Sequence, residues 1–258
     1  MRPLLSHSRN DVVVLAPART TLPDIFRNKI QDLKHHDYLL AEMQRFRGKI
    51  YSSDGAIKAS DLTEDGRHRM AVDERSWHVL SLDSDQRVCA CLRYLDETEA
   101  ESFDNLWIRN SALSRIAELG SRFRRVIETQ VQAARRNHLG FGEVGGWAVA
   151  EEHRHTLEPV RIILATYALL RLLGDALGVA TATIRHHSAA ILRRIGLNAL
   201  TECGEELPPY FDPQYGCLME ALQFDSRHPA PKYEAWVSKL VETLRAAPVI
   251  WRGQPMPL

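Results

Sequence analysis

The chain has 258 residues, 45% hydrophobic and 26% charged, the composition of a soluble globular protein with ample material for a core. Lys plus Arg equals Asp plus Glu at 33 each, so no global charge draws it to nucleic acid or to a membrane surface. The longest apolar region, residues 162–184, is interrupted by Arg171 and Asp175 and is no membrane span; MRPLLSHSRND has no run long enough for a signal peptide, and Cys89, Cys91, Cys203 and Cys217 show no metal-ligand spacing and read as reduced thiols of a cytoplasmic protein.

Residues 1–20 look irregular, with DVVVLAP either a short strand or a bound tail. Leu22 to about Phe46 reads as a helix or helix pair through Ile30, Leu33, Leu39, Leu40 and Met43, and the pattern breaks at Ser52–Gly55. SWHVLSLD and RVCACLRYL, joined by a turn at Ser84–Gln86, predict a hairpin. After the polar loop LDETEAESFDN, a long helix is expected from about Ser111 to Asn137, with Gly140 as its stop. FGEVGGWAVA reads as a strand, and Leu157–Leu177 as a helix with Pro159 in its first turn and Gly178 just past its end. VATATI is β-branched and alternating, hence a strand; the short helix HSAAILRR stops at Gly196; CLMEALQFD is a late strand and Tyr233–Leu244 a terminal helix. The expected organisation is one α/β domain over residues 46–258 with an N-terminal helical extension over residues 1–45.

The stretch Glu143–Pro159, EVGGWAVAEEHRHTLEP, carries the chemistry. A glycine pair inside a strand marks a bulge, tight packing against a helix, or close approach by a ligand. The strand then feeds a helix N-terminus through a polar turn, where free backbone N–H groups and the positive end of the helix dipole favour an anion. Arg154 and His155 add charge and Thr156 a hydroxyl, so a phosphate or pyrophosphate is the expected ligand, although Thr156 also suits a simple N-cap.

The order hairpin, long helix, glycine-bearing strand, anion-binding turn, helix, strand, short helix ending in RRIGL resembles the GNAT acyltransferase superfamily over roughly residues 45–225. That superfamily's pyrophosphate loop, of the R/Q-x-x-G-x-G/A kind, stands here as EEHRHTLEP without the glycines, and its Y-x-K-x-G-F-like signature as Leu192-Arg193-Arg194-Ile195-Gly196-Leu197. The resemblance implies a GNAT-like mixed central sheet flanked by helices. Within the superfamily the chain looks most like the branch of acyl-homoserine-lactone synthases and long-chain N-acyl amino acid synthases. Three stretches carry this: RFRGKIYSSDG before the acidic DLTEDG, the strand end Cys91-Leu92-Arg93-Tyr94, and Glu143 at the glutamate of an E-x-x-R motif. The arginine of that motif falls on Gly146, which points away from the lactone synthases and toward the amide-forming relatives.

The resemblance implies direct attack of a small-molecule amine on an acyl thioester, with acyl-phosphopantetheine of an acyl carrier protein or acyl-CoA as donor. The pantetheine arm would lie between the glycine strand and VATATI, lined by Gly145, Gly146, Trp147 and Val149, with backbone N–H groups near Ala148–Ala150 polarising the carbonyl. Glu143 is the candidate base, because an ammonium is no nucleophile, or else a surface glutamate at a strand start. Arg93 would help position the acceptor, and Arg154, His155 and Thr156 would hold phosphate. The tyrosine with which the superfamily protonates the leaving thiolate is Leu192 here, and Tyr167, Tyr210 and Tyr215 remain as alternatives. An acidic carrier protein would fit a surface bearing Arg122, Arg124, Arg125, Arg135, Arg136, Arg193 and Arg194, which otherwise read as solvated helix faces. No metal site is expected from His35-His36-Asp37, His153–His155 or Arg185–His187, because adjacent histidines on a helix diverge by about 100°. Two other readings stand beside the enzyme. TATIRHHSAAILRRIGL matches the recognition helix of response-regulator helix-turn-helix proteins, though residues 157–177 leave no room for its upstream loop and nucleic acid is an unexpected partner at zero net charge. The chain could also be a GNAT fold that binds a ligand without chemistry.

Overall fold

The computed structural model describes residues 10–253. Its strands are β1 (Asp11–Leu15), β2 (Asn28–Gln31), β3 (Trp77–Leu82), β4 (Val88–Asp96), β5 (Gly140–Val149), β6 (Ala176–Thr183), the two-residue β7 (Asn198–Ala199), β8 (Thr201–Glu202) and β9 (Glu205–Glu206), then β10 (Tyr210–Asp212), β11 (Cys217–Asp225) and β12 (Pro248–Trp251). Its α-helices are α1 (Leu33–Ser53), α2 (Ala117–Arg136), α3 (Glu158–Leu172), α4 (Ser188–Ile195) and α5 (Glu234–Ala246).

Ten strands form one mixed sheet in the order β10-β11-β6-β5-β4-β3-β1-β12-β2, with β7 beside β11. Pairing is antiparallel except for β5–β6, β1–β12 and β12–β2. Period-two alternation in β3 and β4 sends successive side chains to opposite faces. One face buries Val13, Leu80 and Cys91 under Leu39, Leu40 and Met43 of α1, and Phe141, Val179 and Ala221 under Phe123 and Ile127 of α2. The other face packs Val79, Leu92, Ala180 and Leu222 against α3, α4 and α5. The architecture is therefore the helix-flanked mixed sheet expected.

The hairpin, the glycine strand, the short helix and the late strand form where the pattern placed them. Elsewhere the structure departs from it. Within residues 1–45, DVVVL is a buried strand between β3 and β12, and Asn28–Gln31 is a mostly exposed strand at the sheet's edge rather than the start of a helix. The segment expected to be a helical addition thus supplies two strands of the central sheet. The long helix starts at Ala117, after short 3-10 turns, and stops at Asn137–His138, where His138 has φ +55, while Gly140 opens β5. Helix α3 ends at Leu172, in a turn carrying Gly174 (φ +104) and Asp175 (φ +64). Gly178 lies inside β6, where a Cβ would run into the Gly142 carbonyl and the Phe224 ring. The helix-turn-helix reading fails: β6 ends at Thr183, His187 has φ +58, and α4 begins only at Ser188, so TATIRHH is a strand end and a turn.

What positions the site is the way β5 parts from β6. Their parallel pairing runs from Gly140–Ala176 to Val144–Ala180 and ends there, although β5 continues to Val149 and β6 to Thr183. On its other side β5 stays on β4 but slips: Arg93 faces Gly145 and Cys91 faces Ala148, which leaves Gly146 and Trp147 together opposite Leu92. This is a β-bulge, with Gly146 at φ +64. The bulge turns the second half of β5 away from β6 and opens a V between residues 145–149 and 181–183.

Candidate active site

The register of β3, β4 and β5 places His78, Arg93 and Gly145 side by side, and Glu143 opposite Leu95. All face the helix α1 side, and they stand where the V begins. Arg93 is 1% exposed and Glu143 8% exposed. Arg93 Nη2 donates to Glu143 Oε1, forming a buried ion pair. Glu143 Oε2 and Arg93 Nε are buried without a hydrogen-bond partner. Burial pushes the Glu143 carboxyl above the usual carboxylate range, against the pull of the Arg93 guanidinium.

A second pair braces the first. Arg47, fully buried on α1, donates from Nη1 to Asp73 Oδ1 at 3.1 Å and from Nη2 to Asp73 Oδ2 at 2.7 Å. Asp73 Oδ2 also accepts from Gln44 Nε2 and the Met70 N–H, both at 2.9 Å. Burial alone would raise this carboxyl, but the Arg47 charge and the donated hydrogen bonds outweigh it and hold Asp73 at about 2. Its backbone carbonyl lies 2.8 Å from His78 Nε2. Burial keeps His78 and His68 down at about 4, so both are neutral near pH 7.

These arginines explain the glycine pair. A Cβ on Gly145 would sit 3.1 Å from Arg93 Nη2 and 3.3 Å from Glu143 Oε1, and one on Gly146 would sit 3.2 Å from Arg47 Nη1. The space that a side chain at position 146 would claim is already held by the guanidinium of Arg47. Arg47 lies within RFRGKIYSSDG, but that stretch alone marks neither it nor Asp73 as a site residue. The available signal was Arg47 on the buried stripe of α1, in phase with Leu40 and Met43, where a charge must have a buried partner. The acidic DLTEDG does not supply it: Asp65 pairs with Arg45 and Arg67 at the surface.

Around the V, Trp147 packs on the helix α3 side and its carbonyl accepts from Tyr51 Oη at 3.2 Å. The Ala150 N–H is taken by the Cys89 carbonyl at 2.9 Å, so it is not the free donor expected. Ladder alternation turns Ala148 to β4 as well and leaves the Val149 N–H pointing into the gap. Arg154 Nη2 lies 2.9 Å from both carboxylate oxygens of Asp54, the residue that caps α1, and Arg185 Nη2 donates to the Asp54 carbonyl at 3.1 Å. Arg154 and Arg185, from the two strand ends of the V, therefore meet on one residue at its mouth. His155 is exposed there. The Thr156 hydroxyl accepts the Glu158 N–H at 3.1 Å and donates to the His153 carbonyl at 2.8 Å, so it is committed within the turn that leads into α3. Of the candidate tyrosines, Tyr167 packs against Phe224 on the far face, whereas Tyr215 lies 6.4 Å from the Tyr51 ring on the near one. Among the described residues, no group of three or more His, Cys, Asp or Glu is placed to hold a metal, and no helix is long and apolar enough to cross a membrane.

No protein-family model matches the sequence. No curated protein matches it either. Solved structures do. BjaI, a CoA-dependent acyl-homoserine lactone synthase solved with SAM and isopentyl-CoA, aligns at TM-score 0.54 and 14% identity over 96% of this chain and 95% of its own. The chain shares its fold with this synthase. TofI, solved in a ternary complex with an inhibitor and MTA, aligns at TM-score 0.53 and 16% identity over 84% of this chain and 91% of its own. MesI, another CoA-dependent acyl-homoserine lactone synthase, aligns at TM-score 0.52 and 14% identity over 91% and 93%. At these identities the likeness is one of fold, and the GNAT-like architecture expected from element order is the one found.

Proposed function

We propose that the protein is an N-acyltransferase that moves a long acyl chain from a phosphopantetheine thioester, on acyl carrier protein or CoA, to a small-molecule amine such as an amino acid. The observation that carries this reading is Glu143. It is a buried carboxylate with one oxygen held by Arg93 and the other free, one residue before the last paired position of a splayed parallel pair.

In this reading the pantetheine arm enters the V between Trp147–Val149 and Thr181–Thr183 and borrows the backbone groups that β5 and β6 do not give each other. The Val149 N–H meets the charge that develops on the thioester oxygen; one such donor contributes about 10²–10³ in rate. Gly145 and Gly146 keep the wall of the V thin while accommodating Arg93 and Arg47 behind it. Glu143 Oε2 takes a proton from the acceptor ammonium, directly or through water, and the free amine attacks the thioester carbon. Arg93 keeps Glu143 oriented and opposes the rise that burial imposes on its carboxyl. At the mouth, Arg154 exchanges the Asp54 carboxylate for the donor's phosphate, with His155 beside it, while Thr156 shapes the turn. Tyr51, Tyr210 and Tyr215 are the tyrosine hydroxyls on this face available to protonate the departing sulfur.

The test is purified protein incubated with acyl carrier protein and CoA thioesters and a panel of amines, with products read by mass spectrometry. A new N-acyl amine is expected. It should be lost in Glu143→Gln and should need more thioester in Arg154→Ala. A protein that retains pantetheine thioesters but yields no acylated amine is the ligand-binding GNAT fold instead.

A further inference from the structure

The proposed reaction, on which this inference rests, leaves one proton to dispose of. An ammonium nitrogen carries three protons and the amide nitrogen one; the leaving sulfur takes one of the two lost, and the other must reach water in every cycle. Glu143 accepts it, but Glu143 is buried between β4 and β6, opposite Leu95 and Val179.

Glu97 is a buried carboxylate that the mechanism above does not use. It follows directly on β4, and its backbone N–H donates to the Phe141 carbonyl at 2.8 Å, extending the ladder by one residue. Its side chain is 8% exposed: Oε1 accepts the Trp107 N–H at 2.6 Å, and Oε2 is buried with no partner. Alternation along β4 puts Arg93, Leu95 and Glu97 on one face. Because Glu143 stands opposite Leu95, its diagonal neighbours on β4 are Arg93 on one side and Glu97 on the other. Diagonal positions in an antiparallel pair are about 7–8 Å apart, a span two glutamate side chains cover with at most one water between them. Glu97 is among the residues that line an open groove of about 950 Å³ at the end of the sheet opposite the V, with its Oε2 covered.

We propose that Glu97 is the exit for the reaction's net proton, receiving it from Glu143 and releasing it to water in the groove, so that both carboxylates are reset for the next cycle. A relay of this kind must gain and lose a proton with equal ease near neutrality. Burial raises Glu97 to about 7; the Glu143 charge adds to this, and the Trp107 N–H, Arg75 and Arg93 oppose it. Across the groove the other charged groups are Arg19, Arg135, His138 and Asp175, with Asp96 and Glu99 beside Glu97 itself. No described arginine or lysine hydrogen-bonds to Glu97, so its proton is not locked to a fixed partner.

Glu97→Gln is the informative variant, since it keeps the acceptor for Trp107 and removes only the titration. With acyl transfer as the readout, kcat should fall about tenfold to a hundredfold with the thioester KM unchanged. The pH dependence of kcat near neutrality should flatten, and small imidazole or carboxylate buffers that enter the groove should restore part of the rate. A Glu97→Gln enzyme with the parent kcat and pH profile overturns the relay while leaving acyl transfer standing. So does a loss of kcat that no buffer restores and that keeps the parent pH profile, which marks a structural role. A parent protein that transfers no acyl group defeats the functional reading, and the relay with it.

Discussion

Two buried arginine–carboxylate pairs lie on the same face of the sheet, yet they are built differently. Asp73 accepts four hydrogen bonds, two from Arg47, one from Gln44 and one from the Met70 N–H. Glu143 accepts one, from Arg93, and keeps a buried oxygen free. Asp73 is held at about 2, while burial lifts Glu143 above the ordinary carboxylate range. A carboxylate held by four donors is a strut; one with a buried oxygen left unpartnered, raised above the ordinary carboxylate range at the edge of an opening, is equipped to take a proton.

The comparison breaks first at Asp73. Asp73→Ala leaves the fully buried Arg47 guanidinium without its partner and should cost about 3–5 kcal/mol in urea unfolding, enough to threaten the fold of a marginal domain. Glu143→Gln keeps the size and one acceptor, so its loss should fall on chemistry: about 10²–10⁴ in kcat, with a smaller change in unfolding free energy than Asp73→Ala. Equal stability losses with no rate effect would make Glu143 a strut too.

Acid sharpens the contrast with known sign. Asp73 is depressed from 3.8 to about 2, so its stabilisation, about 2 kcal/mol, is complete above the unfolded value and lost as pH falls from about 4 to 2. His68 and His78, depressed from 6.5 to about 4, make the fold lose stability over that interval on acidification, because the unfolded chain takes up their protons first. Glu97, raised from 4.5 to about 7, acts oppositely, since the folded chain binds its proton first. Unfolding free energies of parent and Glu97→Gln across this range should therefore diverge, the parent gaining relative to the variant as pH drops from about 7 to 4.5. The smallest effect is expected at Gly146→Ala. The left-handed backbone and the Arg47 Nη1 atom 3.2 Å from the new methyl should cost about 1–2 kcal/mol, with a loss of thioester affinity as the bulge shifts.

Much of the fold was legible because its signals were local. WHVLSL and VCACLRYLD alternate, Gly196 closes α4 at φ +129, and CLMEALQFD alternates against a half-buried edge. Where signals merge, boundaries slip. The α3 helix is apolar nearly all round, and the parallel strand that follows it is buried on both faces, so the apolar run crosses Gly174 and Asp175 without a change of texture. NKIQ lacks alternation because an edge strand lies mostly in water. Within the site, Glu143 and Arg93 were readable from their motif positions, and the structure joins them. Their separation by 50 residues is closed only by strand register. Arg154 was readable as a cation at the mouth, but not its hold on Asp54, and the Arg47–Asp73 brace required knowing which face of α1 the sheet would cover.

The most direct test of the account is a crystal structure with a non-hydrolysable acyl-pantetheine analogue. In such a complex the pantetheine amides should lie between residues 147–149 and 181–183, with the carbonyl oxygen on the Val149 N–H and Glu143 Oε2 facing the carbon that an amine would attack. An analogue bound elsewhere, with the V left empty or closed by direct β5–β6 pairing, would contradict it.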